Sequence, residues 1–160
     1  MRLKKKCLAM NKITQTLPSI IDGKHRLLVR VYFEDTDAGG IVYYANYLKF
    51  AERARTEMMR EIGYEHTDTL ENYGTSFVVK TCNVEFDKPG RLDDLLEVET
   101  EILIIRGASI NLRQKVKRGG EDLVRMDIKL AYISLNGGPI RIPLIVRDRM
   151  SDLKILKGDG

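Results

Sequence analysis

From His25 to Phe33 the apolar Leu27, Val29, Val31 and Phe33 alternate with Arg26, Leu28, Arg30 and Tyr32. A period of two predicts a strand with one buried face. Asp35 to Gly40 then reads as a turn, because Asp and Gly tolerate the left-handed backbone of a sharp reversal. Beyond it the period becomes helical. Between about Tyr43 and Ile62, the residues Tyr44, Tyr47, Leu48, Ala51, Ala54, Met58, Met59 and Ile62 share a stripe. Lys49, Arg53, Glu57, Arg60 and Glu61 face elsewhere, and Gly63 is a natural stop. Arg55 interrupts the stripe. An ion pair with Glu52, three residues earlier, is the expected explanation, and a substrate-facing role is the alternative.

After a polar loop through Gly74, strand follows strand. Thr75 to Phe86 is largely apolar, and Cys82 within it is expected to be a small core residue. Leu96, Val98, Thr100, Ile102 and Ile104 alternate with Glu97, Glu99 and Glu101. The same alternation runs through Ile110, Leu112, Gln114 and Val116, and again from Val124 to Tyr132. Gly-containing turns lie at Arg106-Gly107, Arg118-Gly119-Gly120 and Asn136-Gly137-Gly138. Pro139 to Arg149 is expected to add a short extended piece. This order predicts an α+β fold in which an antiparallel β-sheet wraps around one long central α-helix. Residues 25–150 are expected to form the domain, with 1–24 a flexible N-terminal extension and 151–160 a C-terminal tail.

The 160 residues are 43% hydrophobic and 31% charged, which is one ordinary globular domain with a real core. The basic start at Arg2 to Lys6 is not followed by the apolar run of a signal peptide, and Met10 is an alternative start. No segment reaches the roughly 20 apolar residues of a membrane span, so a cytoplasmic location is expected. Two cysteines and two histidines support neither a metal site nor a Ser-His or Cys-His nucleophile. The net charge of +4 suits anionic ligands, but the basic residues are dispersed and no nucleic-acid motif accompanies them.

The chemistry concentrates in Asp35-Thr-Asp37-Ala-Gly39-Gly40-Ile-Val42-Tyr-Tyr44-Ala-Asn46-Tyr47. A carboxylate beside free N–H groups at a helix start can polarise and attack an activated acyl group. The same Asp can equally serve as a plain helix cap. This stretch, with Glu52-Arg-Ala-Arg-Thr-Glu57, resembles the hot-dog-fold acyl-CoA thioesterases related to 4-hydroxybenzoyl-CoA thioesterase, in their Tol-Pal-associated branch. The resemblance spans about His25 to Arg149 and implies an acyl-CoA thioesterase on a hot-dog fold. It implies Asp37 as the catalytic carboxylate and the Tyr44 backbone N–H as the donor to the thioester carbonyl. Gly40, Val42, Asn46 and Glu52 are the implied substrate-binding residues. Many relatives in the branch carry His where Tyr44 stands. No cofactor is implied, because coenzyme A is part of the substrate, and its phosphates would suit Arg113, Lys115, Lys117 or Arg147. A homodimer or homotetramer is implied, with acyl carrier protein as a possible partner. Three other readings are an acyl-carrier-protein thioesterase, a non-catalytic acyl-thioester or protein-binding module on the same fold, and a hydratase. The hydratase would want a His absent from the motif.

Overall fold

A computed structural model describes residues 19–155 of the chain. β1 (Ser19–Ile21) and β2 (Lys24–Arg30) form a hairpin turned by Asp22 and Gly23, both at positive φ. A single 3-10 turn at Phe33–Asp35 leads into the motif and then α1 (Asn46–Glu61). The remaining elements are α2 (His66–Tyr73), β3 (Thr75–Phe86), β4 (Leu95–Ile105), β5 (Ser109–Arg118), β6 (Glu121–Ser134) and α3 (Leu144–Ile155). All six strands join one antiparallel sheet in the order β1-β2-β4-β5-β6-β3.

α1 lies across β2, β4 and β5. Its stripe of Phe50, Ala51, Ala54, Met58 and Met59 joins the inward faces of those strands, including Leu96, Val98, Leu112 and Val116, in one buried cluster. Burial of each large apolar side chain contributes about 1.5–3 kcal/mol, which is what holds the helix on the sheet. α1 ends as its sequence predicts. Gly63 adopts φ 81°, its N–H donates to the Arg60 carbonyl, and the Tyr64 N–H donates to the Met59 carbonyl at 2.8 Å. That pair of bonds is a Schellman closure, and the buried Tyr64 supplies its apolar contact.

Several boundaries differ from the sequence reading. The sheet begins at Ser19, inside the stretch expected to be an extension, whose earlier residues lie outside the described ones. The loop before Gly74 is helical. α2 buries none of its residues, so no apolar stripe announces it, and Gly74 at φ 59° closes it. The piece from Pro139 is not a strand beyond an isolated Ile133–Pro139 bridge, and α3 runs on into the expected tail. Ile104 is exposed, because a register shift between Ile102 and Ile104 turns it off the buried face. Cys82 is also exposed, since β3 is the sheet's last strand and α1 packs mainly on β2, β4 and β5.

The outer sheet face carries an ion-pair lattice. Glu99 is only 4% exposed, beneath Lys24 at 3.1 Å, Lys117 at 3.2 Å and Arg26 at 3.6 Å. Nearby, His25 is wholly buried, with Nε2 3.4 Å from the Glu61 carboxylate but off the direction of a hydrogen bond. Burial lowers its pKa to about 4. The unfolded chain, titrating near the ordinary 6.5, therefore binds a proton that the folded chain refuses. The stability tied to this group is fully present above about pH 6.5 and is lost as the pH falls toward 4. Denaturant unfolding at pH 7 and pH 4 should show the wild type losing about 3 kcal/mol more than His25→Asn. Equal losses in the two proteins would remove His25 as the cause.

Candidate active site

Asp37 sits at the tip of a miniature hairpin between the 3-10 turn and α1. Its N–H donates to the Ile41 carbonyl at 2.9 Å, the Gly40 N–H donates back to the Asp37 carbonyl at 3.0 Å, and Thr36 pairs with Val42. Gly40 stands at φ 74°, a conformation that an L side chain rarely adopts, and the space around its missing Cβ is open. The Asp37 carboxylate accepts the Gly39 N–H on Oδ1 at 2.8 Å. Among the described residues its second oxygen accepts nothing, and the side chain is exposed. The capping that local chemistry allows does occur, but within this turn rather than at the helix. α1 starts at Asn46, six residues beyond Gly40, so Gly40 does not open the helix as expected.

Two struts tie the hairpin to α1. The Asp35 carbonyl accepts both the Tyr43 N–H and the Asn46 side-chain amide, each at 2.9 Å. One oxygen thus fixes the backbone two residues before Asp37 to the residue just before Tyr44. The buried Asp35 carboxylate accepts the Tyr32 N–H at 2.8 Å and holds the 3-10 turn. Tyr44 immediately precedes the N-cap residue Ala45. Among the described residues its N–H meets no acceptor, which leaves an unpaired donor just outside the positive end of the helix.

A third brace is invisible in the motif. The Tyr47 hydroxyl, at the first turn of α1, accepts the Gly90 N–H at 2.8 Å, and the Gly90 carbonyl accepts the Val42 N–H at 2.9 Å. A Cβ on Gly90 would stand 3.1 Å from Val42 and 3.3 Å from the Tyr47 oxygen, so at this brace a larger residue would press Val42 and Tyr47 apart by a few tenths of an ångström. Aromatic rings surround it. Tyr44 meets Phe86 of β3 edge-on at 6.1 Å, and Tyr47 lies 6.0 Å from the same ring.

Asp37 and Gly40 thus share one turn, and the Asp35 carbonyl ties that turn to the residue before Tyr44. Val42 is 3% exposed and packs against Gly90, while the buried Asn46 spends its amide on Asp35. Both are engaged in holding the turn, Val42 against the Gly90 loop and Asn46 against Asp35. Glu52 is exposed farther along α1 and accepts the Thr56 hydroxyl at 2.7 Å, not Arg55 as expected. Arg113, Lys115 and Lys117 are paired with Asp127, Asp122 and Glu99. Among the described residues no cluster of three His, Cys, Asp or Glu side chains could hold a metal, and no helix is long and apolar enough to cross a membrane.

Residues 39–125 match the thioesterase superfamily (4HBT). The chain is similar to the acyl-CoA thioesterase YbgC of Haemophilus influenzae, at 40% identity over 136 residues, covering 84% of this chain and 100% of that protein. It superposes on the crystal structure of a probable thioesterase from Bartonella henselae with a TM-score of 0.72 at 35% identity, covering 75% of this chain and 99% of the other. A crystal structure of a 4-hydroxybenzoyl CoA thioesterase variant complexed with 4-hydroxybenzoyl CoA matches with a TM-score of 0.75 at 25% identity, covering 79% and 98%.

Proposed function

Because this chain belongs to the thioesterase superfamily, we propose that it hydrolyses an acyl-CoA thioester to the free acid and coenzyme A. The observation that carries this reading is the exposed Asp37 carboxylate, held in a turn that is braced to the residue preceding the unpaired Tyr44 N–H. Negative charge develops on the carbonyl oxygen as the thioester is attacked, and a preorganised N–H at a helix start stabilises it, with a single such donor worth about 10²–10³ in rate. The Asp37 oxygen without a hydrogen bond either attacks the carbonyl carbon or takes a proton from the attacking water. In the first route a mixed anhydride forms as the C–S bond breaks, and water then hydrolyses it. In the second, water adds directly and the C–S bond breaks from the tetrahedral intermediate. Both end in a carboxylic acid and the coenzyme A thiol.

The working unit in this reading is a homodimer joined at the β3 edge. β3 presents twelve residues of strand with one side unpaired by any other strand of the sheet. Val79 and Phe86 on it are each 50% exposed, and an apolar open edge invites a second strand. The charged outer face is unsuited to burial against another sheet, because desolvating its ion pairs would be costly.

Thiol release from a panel of acyl-CoA esters tests the chemistry, and sedimentation of the same preparation tests the assembly. Turnover of at least one ester by a dimer is expected. No thiol release from any ester would overturn the hydrolase reading, and a monomer at micromolar concentration would overturn the shared-edge one.

A further inference from the structure

The Gly90 brace is itself held in place, and the residue that holds it lies on another strand. Thr36-Asp37, Ile41-Val42 and Gly90-Arg91 lie side by side as three short segments. The Asp37 N–H donates to the Ile41 carbonyl at 2.9 Å, Ile41 bridges to Arg91, and the Val42 N–H donates to the Gly90 carbonyl at 2.9 Å. Two strand spacings, about 10 Å, therefore separate Asp37 from the loop between β3 and β4. Where that loop stands decides where Asp37 stands.

One guanidinium sets the loop. Arg118 is the last residue of β5, and its Nη1 donates to the Asp94 carboxylate at 2.8 Å and to the Pro89 carbonyl at 3.4 Å, so it spans the segment from Pro89 to Asp94. The same Asp94 oxygen accepts the Arg91 N–H at 2.8 Å. Its Nη2 lies 3.4 Å from Glu121, which also pairs with Lys88 at the start of the loop. Asp93 stands at φ 67°, a left-handed conformation costly for an L side chain, and its N–H donates to the Val31 carbonyl at 3.1 Å. Such a turn keeps its shape because its ends are held. An ordinary surface ion pair joins only two side chains, whereas this one joins a strand end to a backbone carbonyl and, through Asp94, to a backbone N–H of the loop.

We infer that Arg118 is a positioning residue: through Asp94 and Pro89 it fixes the Gly90-Arg91 backbone, and through that backbone the turn that presents Asp37. Its effect on rate rests on the thioesterase reading, in which Asp37 is the reacting carboxylate. A shift of about 1 Å at a reacting group, caused by a substitution far from the chemistry, can cost about a hundredfold. Arg118 acts on the placement of Asp37 and not on the hold on substrate, so its loss shows in kcat rather than in KM.

Arg118→Gln should lower kcat for thiol release by about tenfold or more and leave KM close to the wild type. Arg60→Gln breaks an exposed ion pair with Glu57 at the far end of α1 and should leave kcat unchanged. Asp94→Ala should reproduce the loss, and the double variant should lose no more than the worse of the two single ones. An unchanged kcat in Arg118→Gln, an equal fall in Arg60→Gln, or losses that add in the double variant would overturn the inference. Amide hydrogen exchange gives a readout independent of turnover. In Arg118→Gln the Val42 amide, which donates to Gly90, should exchange faster by a larger factor than the Leu112 amide inside β5. Unchanged exchange at Val42, or equal factors at the two amides, would overturn the inference whatever the kinetics show. Selectively faster exchange at Val42, together with no thiol release by the wild type, would sink the hydrolase reading while upholding the hold on the turn.

Discussion

Replacement of Asp37 by Asn should lower kcat/KM for acyl-CoA hydrolysis by about 10²–10⁴-fold, the usual worth of a positioned acid–base group. The substitution is clean for a structural reason. An Asn side-chain oxygen can still accept the Gly39 N–H that Asp37 Oδ1 accepts at 2.8 Å, so the turn has no cause to open. Only the charge and the reactive oxygen disappear. The melting temperature should therefore stay within a few degrees of the wild type while thiol release collapses. Turnover retained at the wild-type level would refute the assignment of Asp37. The companion change Tyr44→Phe removes a hydroxyl but keeps the backbone N–H, so a loss below tenfold is expected. A larger loss would show that the side chain takes part.

The largest stability effect is expected at Tyr47. This residue is 3% exposed, its ring packs edge-on against Phe50 at 6.1 Å, and its hydroxyl accepts the Gly90 N–H. Tyr47→Ala removes a buried ring and leaves a buried donor unpaired, for a combined cost of about 4–5 kcal/mol. Tyr47→Phe keeps the ring and should cost about 1–2 kcal/mol, isolating the hydrogen bond. Urea unfolding of the three proteins reads both values. The two variants should also lose activity in the same order, because Gly90 passes the constraint to Val42 and so to the hairpin under Asp37. Equal stabilities of Tyr47→Ala and Tyr47→Phe would show that the ring is not part of the core contact.

The elements legible in the sequence were those whose side chains sort by water. α1 and strands β4 to β6 bury one face each, and their periodicity fixes which residues point inward. Gly63 ends α1 as expected because only the left-handed backbone closes that turn. α2 leaves no periodic trace in the sequence because it buries nothing. α3 does carry a sequence signal: Pro143 stands just before its first residue, and Val146, Met150 and Leu153 follow at helical spacing. Gln114 and Thr100, polar residues at apolar positions of two strands, were likewise the trace of a buried network.

The sequence alone determined the α+β fold class and the turn from Asp35 to Gly40. Those follow from local rules of periodicity, turn chemistry and motif spacing, each acting within a few residues. Only the tertiary structure decided that Val42 and Asn46 brace the site from inside and that Gly90, more than forty residues away, locks Tyr47. It also decided that Arg55 donates to the side-chain oxygen of Gln114, and that Cys82 lies open. Each of these depends on which strand stands at the sheet's edge and which loop meets which helix, and such pairings are set by packing across the chain, where no local pattern reaches.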